Sequence, residues 1–282
     1  MNEVQGFILE DCGIRGSLVR LQETWQQVTA QHDYAPALKN LLGESLAATV
    51  LLANTLKARP RVSLQLQGDG PLKLLLIQCS EELRVRGLAQ CSPPAARGTP
   101  LLGDGRLAVN VDTRGPNGFF QGIVPLVSTR LDACLEAYFQ RSEQLPTRLI
   151  LKGSERRIGG LLLQALPGHD PDIQTFADTA ELAEAVSTAE LTDDAAEALL
   201  PRLFSRNLIR LLEPRPVLHD CRCTPAHMAG ILRMLGEDEL NSLLDDPGWV
   251  ELTCEFCNRA FRYEGPQVLA VLQGETPGLL LH

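Results

Sequence analysis

The chain has 282 residues, enough for one large domain and a smaller one, and 44% of them are hydrophobic, which is sufficient for a buried core. Its formal net charge is -9, and an acidic chain is repelled by nucleic-acid backbones and by anionic membrane surfaces. We therefore expect neither nucleic acid nor a membrane as a partner. The chain lacks a signal-peptide pattern and any run of about 18 apolar residues, so we expect a cytoplasmic location.

Residues 1–175 alternate strand-like and helix-like patterns, with glycine and proline between them, which predicts one α+β domain. Apolar and polar residues alternate over 62–67, the segment 68–71 supplies a turn, and the apolar run 72–77 follows. This pattern predicts a β-hairpin.

Two helices are predicted in the same domain. Apolar residues recur at helical spacing over 37–57, with Pro36 placed to start the helix and Pro60 beyond its end. A second amphipathic helix is predicted over 128–141.

The composition changes in residues 176–214, which we interpret as a helical, acidic, redox-sensitive linker. Its part 178–197 has seven acidic residues and no basic ones. Asp178 followed by Glu181 resembles a capping box, and Thr192 is placed to cap a second helix downstream. We expect these helices to depend on docking against a neighbour, because their apolar stripe is thin. That stripe consists of Leu182, Val186 and Leu191.

Residues 215–282 form a cysteine module, in which Cys221-Arg-Cys223 is followed after thirty residues by Cys254-Glu-Phe-Cys257. Each close pair can bring two thiolates onto one ion, so the four cysteines predict a tetrahedral Zn²⁺ site. Four thiolates leave no open position for water or substrate, which is unlike a zinc hydrolase, and we do not expect an enzyme. A module of this size is marginal without a metal.

The remaining candidates near and outside this motif are given lesser roles. His219 and His227 flank the first pair and could substitute as ligands, although four cysteines suffice. The isolated cysteines stand in apolar or turn-like surroundings, where packing as small hydrophobic side chains is expected, and we assign them no chemical role. They are Cys12, Cys79, Cys91 and Cys134.

The clustered thiolates are also oxidisable. Oxidation to disulfides removes the metal ligands, so an oxidant would cause local unfolding. A disulfide across C-x-x-C forms readily, whereas C-x-C closes a more strained ring. We therefore expect Cys254 and Cys257 to be oxidised more easily than Cys221 and Cys223.

With these motifs the chain resembles the heat-shock protein 33 family, the redox-regulated holdase chaperones of the bacterial cytoplasm. The C-x-C and C-E-F-C arrangement is similar to the zinc signature of that family, and further similarities extend over nearly the whole chain. They are Gly43-Glu44, Gln65-Leu-Gln67-Gly68-Asp-Gly70, Tyr138-Phe139, Ser142-Glu143-Gln144, Pro146-Thr147 and Gly159-Gly160 with Gln164.

The resemblance implies a large N-terminal α+β domain, a helical linker and a small C-terminal zinc-binding module. It implies a reduced, zinc-bound, inactive form, and an oxidised, zinc-free form with disulfides at Cys221, Cys223, Cys254 and Cys257. The oxidised form is expected to be an active homodimer. It would bind unfolding client proteins without ATP and prevent their aggregation.

Three other interpretations remain. Arg259, Phe261, Arg262 and Tyr263 interleave charge with aromatic rings, as in a zinc-ribbon nucleic-acid binder, although the acidic whole weighs against it. A dithiol oxidoreductase could use Cys254 and Cys257, but it would not need a second cysteine pair. A purely structural zinc module explains the ligands and leaves the acidic linker unexplained.

Overall fold

The computed structural model describes residues 2–30, 32–56, 59–92, 101–113, 118–166, 172–244 and 248–273. The chain forms two compact units, Met1–Asp220 and Cys221–His282. Both contain helices and strands, which confirms the predicted α+β class. None of the helices in the described ranges has the length and hydrophobicity that a membrane-spanning segment needs.

The first unit is built from strands and helices that alternate along the chain. Its strands are β1 (Asn2–Leu9), β2 (Ile14–Leu21), β3 (Arg61–Gly68), β4 (Leu72–Cys79), β5 (Arg84–Cys91), β6 (Gly105–Asp112), β7 (Phe119–Pro125), β8 (Thr147–Gly153), β9 (Ile158–Ala165), β10 (Ile209–Leu211), β11 (Arg215–Pro216) and β12 (Leu218–His219). Its helices are α1 (Glu23–Thr29), α2 (Pro36–Thr55), α3 (Leu131–Ser142), α4 (Ile173–Glu184), α5 (Thr188–Asp193) and α6 (Ala196–Leu203).

Two sheets enclose α2. The first sheet has the order β10-β1-β2-β9-β8, with β11 also paired to β1, and the second has the order β12-β5-β4-β3-β6-β7. Helix α2 packs on strands of both sheets. It is buried on most of its circumference, with Leu42, Leu46 and Leu51 fully inaccessible, as expected of a helix that is apolar all round.

The predicted hairpin and helices are confirmed, with shifted ends. Strands β3 and β4 pair antiparallel, so that Leu64 lies opposite Ile77. Helix α2 begins at Pro36 and ends at Thr55, and the predicted end at Lys57 lies outside the described residues. Helix α3 begins at Leu131, three residues after the predicted start at 128.

The linker forms α4, α5 and α6, but its predicted caps are wrong. Asp178 lies inside α4, which begins at Ile173, and Thr192 lies inside α5. The capping box is formed instead by Ser187 and Glu190: the N–H of Glu190 donates to Ser187 Oγ at 3.2 Å, and the N–H of Ser187 donates to Glu190 Oε2 at 2.8 Å.

The predicted apolar stripe of the linker is only partly correct. Val186 and Leu191 are buried, whereas Leu182 is 45% exposed. The buried side of α4 uses Ala180 and Ala183 instead. These small side chains let α4 lie close to the first sheet, so the larger leucine points to solvent.

The linker helices cover one face of the first sheet, and α2 covers the other. Apolar residues of both layers form one buried cluster, separate from the cluster around α2. The strand residues are Phe7, Leu9, Ile14, Leu18, Ile150, Leu161 and Leu163, and the linker residues are Ala183, Val186, Leu191, Ala196, Leu199, Leu200 and Phe204. The expected docking of the linker is therefore present, with a wider apolar contact than the stripe indicated.

The isolated cysteines differ in burial. Cys79 and Cys134 are buried, as predicted, and Cys12 is half-buried. The prediction is wrong for Cys91, which is exposed. Cys91 is the last residue of β5, where it pairs with Leu72 at an irregular end of the β4–β5 ladder, so its side chain lies outside the core.

The second unit consists of helices packed on a two-stranded ribbon. Its elements are α7 (Pro225–Leu235), α8 (Glu237–Leu244), β13 (Trp249–Thr253), β14 (Ala260–Glu264) and α9 (Gly265–Leu272). Strands β13 and β14 pair antiparallel, and α7 packs against α9.

Candidate metal centre

The first cysteine pair lies in a tight bend just before α7. The N–H of Cys223 donates to the carbonyl of Cys221 at 2.8 Å, which folds the segment back on itself. Thr224 then caps α7, because its Oγ1 accepts from the N–H of His227 at 3.2 Å, and Pro225 occupies the first helical turn. The helix start therefore fixes the direction of the bend that carries both thiols.

The second pair lies in the turn that joins β13 to β14. The N–H of Cys254 donates to the carbonyl of Arg259 at 2.9 Å, and the N–H of Asn258 donates to the carbonyl of Cys254 at 2.7 Å. Asn258 has a φ of +55°, a left-handed conformation that asparagine tolerates better than most residues. The turn thereby brings Cys254 and Cys257 to one side of the ribbon end.

The two pairs meet. All four sulfur atoms lie within 4.8 Å of one another. Cys221 Sγ is 3.5 Å from Cys254 Sγ, and Cys223 Sγ is 3.2 Å from Cys257 Sγ. In a ZnS₄ tetrahedron with Zn–S bonds of about 2.3 Å, neighbouring sulfurs are about 3.8 Å apart. The cluster is thus positioned to hold a metal ion, and its all-thiol donor set fits zinc.

The surroundings of the four thiols are not equivalent. The pKa of Cys254 is lowered even though burial acts to raise it, because the N–H groups of Cys257 and Phe256 donate hydrogen bonds to its sulfur. Burial raises the pKa of Cys223 to about 11, and burial together with the neighbouring thiols raises the pKa of Cys221. A bound dication would deprotonate all four thiols.

The cysteines are part of the core of the second unit. Cys223 and Cys254 are buried and belong to one cluster with Val250, Phe261 and Tyr263. Because this cluster is small, a metal ion bound by the four thiols would contribute a substantial part of the stability of the unit.

Neither histidine belongs to the thiol cluster within the described residues. His219 lies in β12, where it pairs with Val85, and burial lowers its pKa. His227 lies in the first turn of α7, and its side chain is exposed.

Two residues that frame the centre were not identified from the sequence. Tyr263 is fully buried, and its hydroxyl donates to the carbonyl of Pro225 at 3.0 Å, which ties β14 to the start of α7. Thr224 caps α7 directly after Cys223. The Thr-Pro pair at 224–225 is a helix-start signal that could have identified Thr224. Tyr263 stands in the run of basic and aromatic residues after Cys257, and that pattern does not indicate its contact with Pro225.

Comparisons with known proteins agree with this architecture. The sequence model of the family described as Hsp33 protein matches residues 2–264. A protein of Nitrosococcus oceani named 33 kDa chaperonin is 40% identical over 263 residues, which cover 92% of this chain and 90% of that protein. A protein of Sodalis glossinidius with the same name is 38% identical, and the match covers 98% of this chain and 97% of that protein.

A solved structure supports the fold independently. The crystal structure of a 33 kDa chaperonin (heat shock protein 33 homolog) from Thermotoga maritima superposes with a TM-score of 0.82, at 21% identity. The match covers 97% of this chain and 99% of that one. On the family match and the sequence identities together, the chain belongs to the Hsp33 family of chaperones.

Proposed function

We propose that the protein is a redox-regulated, ATP-independent holdase. Reduced, it holds zinc through Cys221, Cys223, Cys254 and Cys257 and is inactive; oxidised, it loses the metal, releases its linker and binds unfolding proteins. The observation that carries the proposal is the convergence of all four thiols within 4.8 Å in the core of a small unit. Bound zinc would supply the cross-link that this core needs.

The chemical step needs only the thiols and an oxidant. Two thiolates give two electrons to hydrogen peroxide, a sulfur–sulfur bond forms, the peroxide oxygen–oxygen bond breaks, and two protons from solvent complete two molecules of water. Each disulfide removes two ligands from the ion. Two such steps leave the metal with no thiolate, and the unit loses its cross-link.

Release of the linker would provide the client-binding surface. Helices α4, α5 and α6 are too short to persist undocked, and their buried apolar residues face strand residues of the first sheet. If they leave, Phe204 and Leu199 on the linker and Leu161 on the sheet become accessible. Exposed apolar surface of this kind is what an unfolding protein would contact.

The remaining parts of the proposal follow from this activity. We propose a three-part division into the α+β domain 1–175, the linker 176–214 and the zinc module 215–282, whose first strands, β11 and β12, pair with β1 and β5 of the first unit. The linker and the zinc module are connected covalently, since Asp220, the last residue of the first unit, directly precedes Cys221. The protein would act without catalysis in the cytoplasm, as a homodimer when oxidised, on unfolding proteins rather than on nucleic acid or membranes.

The basic and aromatic residues after Cys257 give little support to nucleic-acid binding. Arg262 stacks on the ring of Trp249, with its Cζ 4.2 Å from the ring centroid, and its Nε pairs with Glu264 Oε1 at 2.9 Å. Its charge is thus already engaged within the second unit.

The test is an aggregation assay with simultaneous zinc measurement. A thermally unfolding protein is heated with the reduced chain or with the peroxide-treated chain, and released zinc is titrated with a chromogenic chelator. We expect one zinc per reduced chain, complete release on oxidation, and protection from aggregation only by the oxidised form. Re-reduction with added zinc should abolish the protection. Equal protection by both forms after the zinc has left would refute the proposal.

A further inference from the structure

The surface beneath the linker carries positive charge that neither the metal centre nor apolar packing explains. In β9, Gly159 pairs with Arg20 of β2 on one side and with Lys152 of β8 on the other. Paired residues point to the same face of a sheet, and this is the face that the linker covers. We call Arg20, Gly159 and Lys152 the cationic row, and Arg20 also forms an ion pair with Glu3, its neighbour in β1.

The two cations of this row bind the C-terminal ends of linker helices. Lys152 Nζ donates to the carbonyls of Val186 and Glu184, at the end of α4. The guanidinium of Arg20 donates to the carbonyl of Asp194, which is the C-cap of α5. Carbonyls at a helix C-terminus lack intrahelical partners and lie at the negative end of the helix dipole, so a cation there is doubly favourable.

Two further cations beside the row bind acidic side chains at the same helix ends. Arg148 Nη1 lies 3.3 Å from Glu184 Oε1 and 3.1 Å from Glu136 Oε2 of α3, and Arg157 Nη1 pairs with Asp193 Oδ1. Glu184 is the last residue of α4, and Asp193 is the last residue of α5. A carboxylate at the C-terminus of an isolated helix is unfavourable, and here basic side chains of β8 and of the β8–β9 turn compensate for it.

The row also leaves room for a helix. Gly159 has no side chain, and the carbonyl oxygen of Leu191 lies 2.8 Å from where a Cβ would be. The next row of the sheet, toward its centre, contains Leu18, Leu161 and Ile150, which belong to one apolar cluster with linker residues. The surface therefore combines cations for helix ends, a gap for a helix backbone and an apolar floor.

We infer that this surface is a binding site for acidic amphipathic helical segments of other proteins, and that α4–α6 occupy it as an internal copy of such a ligand. The inference rests on the proposed function, because the linker must leave before another segment can enter. It narrows the client class. A preferred client segment has an apolar face and carries Asp or Glu at the C-terminal end of a short helix.

The test measures binding of two fluorescein-labelled peptides by anisotropy. The first has the sequence of residues 173–204, with seven acidic residues and one basic residue, and the second is its charge-reduced copy with Glu184→Gln, Glu190→Gln, Asp193→Asn and Asp194→Asn. One receptor is the full chain after peroxide treatment. The other is the reduced full chain with Leu191→Asp and Leu199→Asp, which undocks its own linker without oxidation.

We expect the first peptide to bind about tenfold more tightly than its charge-reduced copy at low salt. The difference should disappear in about 1 M salt, where the Debye length is about 3 Å. Lys152→Gln with Arg157→Gln should remove the preference in either receptor. The matched pair Lys73→Gln with Arg106→Gln, which removes the same charge from the second sheet, should leave it unchanged.

Equal affinity for the two peptides, absence of binding, or a preference that survives Lys152→Gln with Arg157→Gln would overturn the inference. Binding of an oligo-dT of matched charge as tightly as the first peptide would also overturn it, because the site would then recognise any anion. If only the undocked variant prefers the first peptide, the proposed release of the linker on oxidation is wrong, and the inferred binding site is supported. If both receptors bind both peptides equally, the release stands and the site is wrong. Should the undocked variant lose its β-sheet circular dichroism, the peroxide-treated receptor decides.

Discussion

Gly159 and Leu191 define how closely the linker approaches the first sheet. The carbonyl oxygen of Leu191 lies 2.8 Å from the ideal Cβ position of Gly159, and the carbonyl carbon lies 3.1 Å from it. Because the obstacle is backbone, any side chain at 159 must push α5 away from β9. A substitution at this one residue of the sheet should therefore weaken the docking of the linker.

Gly159→Ala is expected to loosen the linker in the reduced protein. Displacing α5 should cost about 1 to 3 kcal/mol, as in other overpacked sites. Limited proteolysis should then cut faster within 173–204 while the thiols are still reduced. Gly230→Ala is the matched control, since nothing lies within 4 Å of its Cβ position. An unchanged cleavage rate in Gly159→Ala would mean that α5 is not held at this distance.

Phe204 should anchor the end of the linker. It is fully buried, and its ring centroid lies 5.8 Å from that of Phe7 in β1. Phe204→Ala should destabilise the docked linker by about 3 to 5 kcal/mol and give partial aggregation protection without oxidant. Phe120→Ala makes the same change at a side chain that is 62% exposed, and it should have no effect on linker cleavage. Equal aggregation protection and equal linker cleavage in the two variants would contradict the role of Phe204 as an anchor of the linker.

Stability should depend on the ionisation of Glu44. Burial raises the pKa of Glu44 to about 7, with Asp132 adding to the increase and Arg130 opposing it. A carboxyl group with a raised pKa in the folded state favours folding below its unfolded pKa of about 4.3, and this contribution is lost as the pH rises through 7.

Glu44→Gln should therefore stabilise the protein by about 1 to 2 kcal/mol at pH 8 and leave it nearly unchanged at pH 4. Urea unfolding of the reduced protein at both pH values measures this, and Glu155→Gln, at an exposed position, is the control. The same gain at both pH values would show that ionisation of Glu44 is not the cause.

The sequence was most informative where the constraint is local. The alternation in 62–77 and the apolar periodicity of α2 depend on neighbouring residues, so both elements were predicted. The four cysteines were predicted as one cluster because few arrangements other than a metal site require that spacing. The predicted burial of Cys91 is wrong because its exposure depends on where the β4–β5 ladder becomes irregular, which the sequence does not show.

The linker sequence contains two capping-box patterns, and local sequence alone does not show which of them caps a helix. Asp178 with Glu181 and Ser187 with Glu190 both match a capping box, and only the second pair caps a helix. The choice depends on where α4 meets β8, which is a long-range contact. The cationic row could not be found in advance for the same reason, since the register of three strands brings Arg20 and Lys152 beside Gly159.

Loss of one thiolate should release the metal and unfold the second unit. The chain has two tryptophans, and Trp249 is the one in that unit, so its emission reports on the ribbon. Cys254→Ser should weaken zinc retention by on the order of a hundredfold and shift the Trp249 emission to the red, with Trp249→Phe used to subtract the signal of Trp25. Cys91→Ser, at an exposed site, is the control. Full zinc occupancy in Cys254→Ser would remove Cys254 from the ligand set.

The proposed function requires that a metal ion held by the four thiolates keeps the linker docked. Amide hydrogen exchange of residues 173–204, followed by mass spectrometry in the reduced zinc-loaded protein and after peroxide treatment, tests it most directly. We expect slow exchange in the reduced form and rapid exchange once the zinc has been released, while β2 and β9 stay protected. Slow exchange of the linker in protein shown to be free of zinc and fully disulfide-bonded would contradict it.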